Sequence, residues 1–204
     1  MTGAPGVLLD RDGTLIRDVG YLRRTEEIEV LPEVREALRV LRRSGLKVAV
    51  VTNQSAVARG LLTEAELQEI HRRLEEELAL GGAFLDGIYY CPHHPSEGRD
   101  PYRISCPCRK PRPGLAHRAA AELRLDLSLS YVVGDQSSDM ELAAAIGAQG
   151  LRIDPRKTGV PENSGAVKVS DLREAADWIS EDVKKKMEGK TALSDAPDDD
   201  SFIR

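Results

Sequence analysis

Apolar and polar positions along this 204-residue chain follow two alternating rhythms. Short unbroken apolar runs, Val7 to Leu9 and Val48 to Val51, stop at Asp10 and Thr52. Continuous runs of that length mark strands buried on both faces. Ile88 to Tyr90, Tyr131 to Val133 and Leu151 to Ile153 are three further candidates. Between them the period becomes that of a helix. Val34, Ala37, Leu38 and Leu41 follow i, i+3, i+4, i+7 spacing, and Leu67, Ile70, Leu74 and Leu78 trace a second stripe. Thr63 and Glu66 have the spacing of a capping box ahead of that stripe, and Gly81 and Gly82 end it. Pro113 suits the first turn of a helix carried by Leu115, Ala116, Ala119, Ala120 and Leu123, while Met140 to Ile146 predicts a shorter one closed by Gly147. A last helix is expected from Ser170 past Ile179.

Regular alternation of strand and helix predicts an α/β fold with a mainly parallel sheet, because parallel neighbours need crossover connections. The length suits one domain, able to bury about 70% of its extended-chain surface. Two stretches break the rhythm. Pro92 to Arg112 is rich in Pro, Cys, His and Arg and has no period, and a loop that long in a compact domain is normally functional or held by something. From Lys184 onward the chain becomes polar and ends in an acidic run, Asp195 to Asp200, with little apolar content before Phe202. A single domain over residues 1–183 and a disordered tail over 184–204 are therefore expected.

Charge narrows the function classes. Acidic residues outnumber basic ones 34 to 29 for a net charge of -5, which argues against a general polyanion binder, and 4% aromatic content leaves little for base stacking. A nucleic-acid partner is excluded on these grounds. No apolar run approaches the ~18 residues of a membrane helix, and Met1 to Gly6 has neither the basic start nor the apolar stretch of a signal peptide, so a cytoplasmic protein without a membrane partner is expected. The pattern does not specify an oligomeric state, and a monomer is compatible with it.

Candidate chemistry gathers where the apolar runs end. Asp10-Arg11-Asp12-Gly13-Thr14 follows the first run directly, and the carboxyl ends of strands form the ligand crevice of an open α/β sheet. Two aspartates one residue apart can divide the work of nucleophile or metal ligand and of proton donor and acceptor. Thr52-Asn53-Gln54-Ser55 leaves the second run with hydroxyl and amide donors suited to phosphate oxygens. Gly134-Asp135-Gln136-Ser137-Ser138-Asp139 leaves a later one with further carboxylates, the donors a hard divalent cation needs. Arg109 and Lys110 supply the cations that hold a phosphoryl group.

The three cysteines cannot form a fully paired disulfide framework. Cys91 and His93 in C-x-H spacing, with Cys106 and Cys108 in C-x-C spacing, offer three thiolates and an imidazole, a set suited to a closed tetrahedral zinc site. Such a metal would order the aperiodic loop over 91–110. Free thiols, an iron–sulfur centre, or His94 in place of His93 are the other readings; His71 and His117 are expected to be ordinary surface histidines.

Taken in order, Asp10-Arg11-Asp12-Gly13-Thr14, Thr52, Lys110 and Gly134-Asp135 with Asp139 resemble the four motifs of the haloacid dehalogenase (HAD) phosphatases, over roughly residues 7 to 155. The resemblance implies a Rossmann-like fold. It makes Asp10 the nucleophile that forms an aspartyl-phosphate and Asp12 the acid and then the base. Mg²⁺ would be held by Asp10, the Asp12 carbonyl and Asp135, with Asp139 supporting that site, while Thr52 and Lys110 steady the transferring group. No long insertion forms a cap domain, which leaves the pocket comparatively open. The zinc loop narrows the likeness to two branches, the D-glycero-D-manno-heptose-1,7-bisphosphate 7-phosphatases and the histidinol-phosphatases. Thr52 to Gly60, Asp18-x-Gly20-Tyr21, Tyr89 to Pro95 and the longer spacing between the cysteine pairs resemble the heptose branch. The implied substrate is a small-molecule sugar phosphate contacted by Asp18, Tyr21, Asn53, Gln54, Ser55 and Arg109, its 7-phosphate being removed on the route to nucleotide-activated heptose for lipopolysaccharide. Ala56 stands where that branch often has Gly, and Gln136 where a substrate-contacting Lys is familiar, so no anomer is implied. A non-catalytic phospho-acceptor, phosphorylated at Asp10, is the reading from another class, and Asp12 argues against it: a stable acceptor gains nothing from an adjacent acid/base.

Overall fold

The computed structural model of the chain describes residues 3–155 and 165–194, with the side chains of the last helix described as far as 188. In chain order the elements are β1 (Gly6–Leu9), α1 (Val34–Arg43), β2 (Lys47–Asn53), α2 (Glu64–Ala79), β3 (Gly87–Cys91), α3 (Gly114–Leu123), β4 (Tyr131–Gly134), α4 (Ser137–Ile146), β5 (Gln149–Ile153), β6 (Val167–Val169) and α5 (Leu172–Ser194). The six strands form one sheet in the order β3-β2-β1-β4-β5-β6, every neighbouring pair parallel. This is the Rossmann-like α/β fold expected, and the strand order reverses at β1, the switch point where such sheets bind ligands.

Alternation along the central strands divides the core in two. Val7 and Leu9 of β1, Val48 and Val50 of β2, and Tyr131 and Val133 of β4 face α1, α2 and α5, while Leu8, Ala49, Val51 and Val132 face α3 and α4. Both faces are covered by helices, which is why these strands read as unbroken apolar runs. Helix α2 begins where its sequence predicts: the Thr63 hydroxyl accepts from the Glu66 N–H at 3.2 Å and the Thr63 N–H donates back to the Glu66 carboxylate at 2.6 Å. Its stripe of Leu67, Ile70, Leu74 and Leu78 is buried. Helix α4 closes on Gly147 with φ +69°, a left-handed cap that costs glycine nothing.

Three expectations need correction. Strand β6 has no counterpart in the apolar pattern, because three residues with Lys168 at the centre are too short and too mixed to register. Helix α4 begins at Ser137, three residues before Met140, since a polar first turn carries no apolar period. The boundary drawn at 183 falls inside α5, which runs to Ser194. Asp182 and Lys186 pair at 2.7 Å, the Tyr131 hydroxyl donates to Asp182 at 2.7 Å, and the Lys186 ammonium lies 5.0 Å from the Tyr131 ring, so the helix is tied to β4 beyond the predicted end. The acidic run at 195–200 lies outside the described residues. Between β3 and α3 the chain from Pro92 to Pro113 holds neither helix nor strand, as expected. Among the described residues no helix is long and apolar enough to cross a membrane.

Leu74 is fully buried between α2 and the sheet, whereas Leu80, just past the end of the same helix, is 79% exposed. Urea unfolding should show Leu74→Ala losing about 2–5 kcal/mol of stability and Leu80→Ala staying within about 0.5 kcal/mol of the wild type.

Candidate active site

Parallel strands all deliver their carboxyl ends to one edge, and three of those ends carry the polar motifs. Asp10 follows β1, Thr52 and Asn53 are the last residues of β2, and Asp135 follows β4. Gly13 makes the turn between them possible: its φ is +73°, and a Cβ there would lie 2.5 Å from Oδ2 of Asp135. Asp10, Thr52 and Asn53 line a cavity of about 280 Å³ together with Asp12, Asp18, Tyr21, Gln54, Ser55, Arg109, Lys110, Gln136 and Ser138.

At the centre lies Lys110, brought in by the long loop. Its ammonium is buried and pairs with Oδ1 of Asp10 at 2.9 Å and Oδ1 of Asp139 at 2.6 Å. Burial works against the cation, but the two carboxylates outweigh it and raise its pKa. Asp139 is pushed up to about 6, chiefly by burial and partly by the Asp10 charge, with Lys110 pulling the other way. Its other oxygen accepts from the Gln136 N–H at 3.1 Å. Both oxygens of Asp139 are therefore occupied, which fits a supporting place beside a metal. On Asp10 both contacts fall on Oδ1, which meets the Lys110 ammonium at 2.9 Å and accepts from the Arg11 N–H at 2.7 Å. Oδ2 is left as the oxygen able to attack.

Asp10, Asp135 and Asp139 bring carboxylate oxygens within 4.8 Å of one another. Asp135 carries a buried Oδ1 with no hydrogen-bond partner, and its pKa is raised by burial and by the nearby Asp10 charge. An unsatisfied buried carboxylate oxygen facing a second carboxylate is the donor set that a hard divalent cation would complete.

Other predicted residues are engaged within the protein. The Asn53 side chain clamps the Lys110 backbone, accepting from its N–H at 3.0 Å and donating to its carbonyl at 3.1 Å. The Gln54 amide donates to Thr52 Oγ1 at 2.9 Å and to Asp12 Oδ2 at 2.8 Å, and accepts from Arg11 at 2.8 Å. That leaves the Thr52 O–H free to donate into the cavity. Asp18 accepts from the Gly20 N–H at 2.7 Å in a local turn, and Tyr21 lies under the Arg59 guanidinium at 5.3 Å.

The zinc candidates also converge. Cys91 and Cys106 sulfurs are 3.4 Å apart, Cys91 and Cys108 3.3 Å, Cys106 and Cys108 3.0 Å, and His93 Nδ1 is 3.4 Å from Cys108 and 3.6 Å from Cys91. A tetrahedron of zinc–sulfur bonds of about 2.3 Å has edges slightly longer than these, so the four donors fit the ion with a small expansion. His94 is not among them; its Nδ1 accepts from the Glu97 N–H at 2.9 Å. From this cluster Arg109 reaches the cavity, its guanidinium held by the His93 carbonyl at 3.2 Å.

Two functional residues escaped the sequence reading. Arg11 stands inside the first motif with no role that spacing assigns, yet it is 1% exposed and grips Asp12 through Nε at 3.2 Å and Nη2 at 3.0 Å. His71, expected on the surface, is 6% exposed and lies 3.2 Å from Arg11 Nη1. The signal for it was present: position 71 is four past Leu67 and three before Leu74, on the buried stripe itself.

A family model described as haloacid dehalogenase-like hydrolase matches residues 10–147. The chain is 40% identical over 170 residues to the D-glycero-beta-D-manno-heptose-1,7-bisphosphate 7-phosphatase of Photorhabdus laumondii, covering 83% of this chain and 89% of that protein. It is 41% identical over 175 residues to the Escherichia coli K12 protein of the same name, covering 86% and 87%. Among solved structures, a D,D-heptose 1,7-bisphosphate phosphatase from B. bronchiseptica complexed with magnesium and phosphate superimposes with a TM-score of 0.75 at 31% identity, over 87% of this chain and 99% of that one.

Burial, and then repulsion from Arg11, lower the His71 pKa to about 3. The unfolded chain, with an ordinary value of about 6.5, takes up a proton that the folded state refuses as pH falls through that window, so stability is lost between about pH 6.5 and 3. Urea unfolding should show the wild type losing about 2 kcal/mol more than His71→Gln between pH 7 and pH 5; equal losses would mean that the ring is not held neutral.

Proposed function

The chain belongs to the haloacid dehalogenase-like hydrolases and is a phosphatase, and from that premise we propose that it removes the 7-phosphate of D-glycero-β-D-manno-heptose 1,7-bisphosphate through an aspartyl-phosphate on Asp10. The carrying observation is the pairing of Asp10 with Asp12 at one strand end above the buried Lys110. In the first half-reaction Asp10 Oδ2 attacks phosphorus, the ester P–O bond breaks, and the leaving sugar oxygen takes its proton from Asp12. In the second, Asp12 takes a proton from water as that water attacks phosphorus, the bond to Asp10 breaks, and inorganic phosphate leaves. Lys110 has three N–H donors and spends two on Asp10 and Asp139, leaving one for a phosphoryl oxygen. The Thr52 hydroxyl is a second donor.

Asp10, the Asp12 carbonyl and Asp135 would hold Mg²⁺, in keeping with the magnesium and phosphate bound by the structural relative. When bound, that ion would neutralise charge on the phosphoryl oxygens. Cys91, His93, Cys106 and Cys108 would hold a structural zinc whose closed coordination leaves no open position. Its task here is to fix the loop that carries Arg109 and Lys110. Asp18, Tyr21, Ser55 and Arg109 line the mouth and would meet the sugar and its remaining phosphate, with Asn53 and Gln54 beneath them.

With Mg²⁺ the wild type should release phosphate from the β-anomer of the heptose bisphosphate far faster than from histidinol phosphate, and Asp10→Asn should lower kcat by about 10⁴-fold or more with an unchanged circular dichroism spectrum. Preference for histidinol phosphate would reassign the substrate, and turnover by Asp10→Asn would end the covalent mechanism. Mass-spectrometric metal analysis should find zinc in the purified wild type and far less in Cys108→Ser, whose KM should rise because Arg109 moves with the loop.

A further inference from the structure

Arg11 is the residue between the two catalytic aspartates, and its guanidinium lies in the core rather than in the cavity. It makes a planar fork onto Asp12, with Nε on Oδ2 at 3.2 Å and Nη2 on Oδ1 at 3.0 Å, and Nη2 also donates to Gln54 Oε1 at 2.8 Å. Gln54 in turn donates to the same Oδ2 of Asp12 at 2.8 Å. The carboxylate is thus held in one rotamer by three donors, with its remaining lone pairs directed to the cavity that it lines. On the far side, Nη1 of Arg11 meets one side chain among the described residues, Nε2 of His71 at 3.2 Å. An arginine has no acceptor, so in this contact the imidazole accepts and Nε2 carries no proton. Burial and Arg11 itself keep the ring in that form. Tyr90 packs against the same ring in a tilted arrangement, with centroids 5.4 Å apart and planes at 55°.

We propose that His71 is a positioning residue for the proton-transfer steps, its neutral Nε2 fixing the Arg11 fork that aims the Asp12 carboxylate at the leaving-group oxygen. The inference rests on the phosphatase reading and on Asp12 as the acid. Without an acceptor at position 71 the Nη1 group is buried and unpaired, a loss that the guanidinium avoids by turning away, and the fork then leaves Asp12. A carboxyl misplaced by even a small distance loses much of its catalytic effect. His71 touches neither the substrate nor the reacting atoms; its effect reaches them through two side chains.

The leaving group provides the test. A sugar alkoxide needs a proton as its bond to phosphorus breaks, whereas p-nitrophenolate leaves without one. With Mg²⁺ present, kcat/KM reports the steps up to the first bond cleavage, so it isolates the acid role of Asp12. His71→Leu should lower kcat/KM for the heptose bisphosphate by about 10- to 100-fold, part of the contribution of a positioned acid, and lower it for p-nitrophenyl phosphate by no more than about 3-fold. Asp12→Asn sets the limit of that selectivity. His71→Gln, whose Oε1 can occupy the place of Nε2, should restore both values to within about 3-fold of the wild type, and His71→Asn, too short to reach, should behave as His71→Leu. Rates are normalised to the folded fraction measured by circular dichroism, so His71→Asn decides the matter where His71→Leu fails to fold. Equal losses on the two substrates, or no loss on either, would overturn the inference. A wild type inactive on both would instead overturn the phosphatase reading.

Discussion

A cation buried between two carboxylates organises this molecule. The Lys110 side chain is 2% exposed, and its two partners come from different elements: Asp10 at the end of β1 and Asp139 in the first turn of α4. Breaking such a pair from one side leaves an uncompensated buried charge, at a cost of about 3–5 kcal/mol. Lys110 reaches this position from a segment with no helix or strand, so nothing in the segment's own backbone pattern would hold it there. It is held from outside: the Asn53 amide closes on its backbone, and the cluster of Cys91, His93, Cys106 and Cys108 ties the loop to β3. The chemistry thus depends on an irregular segment that other elements make rigid.

The strand ends were legible because a parallel sheet imposes a strict rule. Strands buried on both faces must be apolar throughout, so the first polar residue after each run marks the edge where ligands bind. Asp10, Thr52 and Asp135 were readable for that reason, and α2 because its capping box and its stripe agree. Less was legible where polarity is set by a distant partner. His71 stands on the buried stripe of α2, but its polar side chain masks that position, and the Arg11 guanidinium that it meets lies sixty residues earlier in sequence. Strand β6 is too short to carry a period, and the middle of α5 is tied down through Asp182 and Lys186 by Tyr131, polar contacts that an apolar period does not reveal.

The same distinction separates groups that act from groups that hold. Asn53 and Gln54 stand at the strand exit where donors to a phosphate are expected, yet their amides are spent on Lys110, Arg11, Asp12 and Thr52. Sequence spacing identifies which residues share a site. It does not say which of them face the ligand, since a polar residue at a strand end can be satisfied from below as well as from above. What remains open to the cavity is a shorter set: Asp10 Oδ2, the Asp12 carboxylate, the Thr52 hydroxyl, one N–H of Lys110 and the residues of the mouth.

Gln136 shows how the pocket's charge is distributed. Its amide donates to Asp135 Oδ2 at 3.0 Å while its backbone N–H holds Asp139, so the residue ties two carboxylates together without adding charge. A cation in its place would lie beside Asp135 and compete with a metal for that carboxylate. With a neutral side chain there, Lys110 and Arg109 are the cationic side chains lining the cavity among the described residues. In the proposed reaction Lys110 is committed to the reacting end through its pairs with Asp10 and Asp139, and recognition of a second phosphate would fall to Arg109. Its guanidinium donates to the carbonyl of His93, a residue of the cysteine–histidine cluster. On the proposed reading, a metal held by that cluster, remote from bond cleavage, would govern how the far end of the substrate is held, while the aspartates, the buried lysine and the arginine fork would govern the reaction.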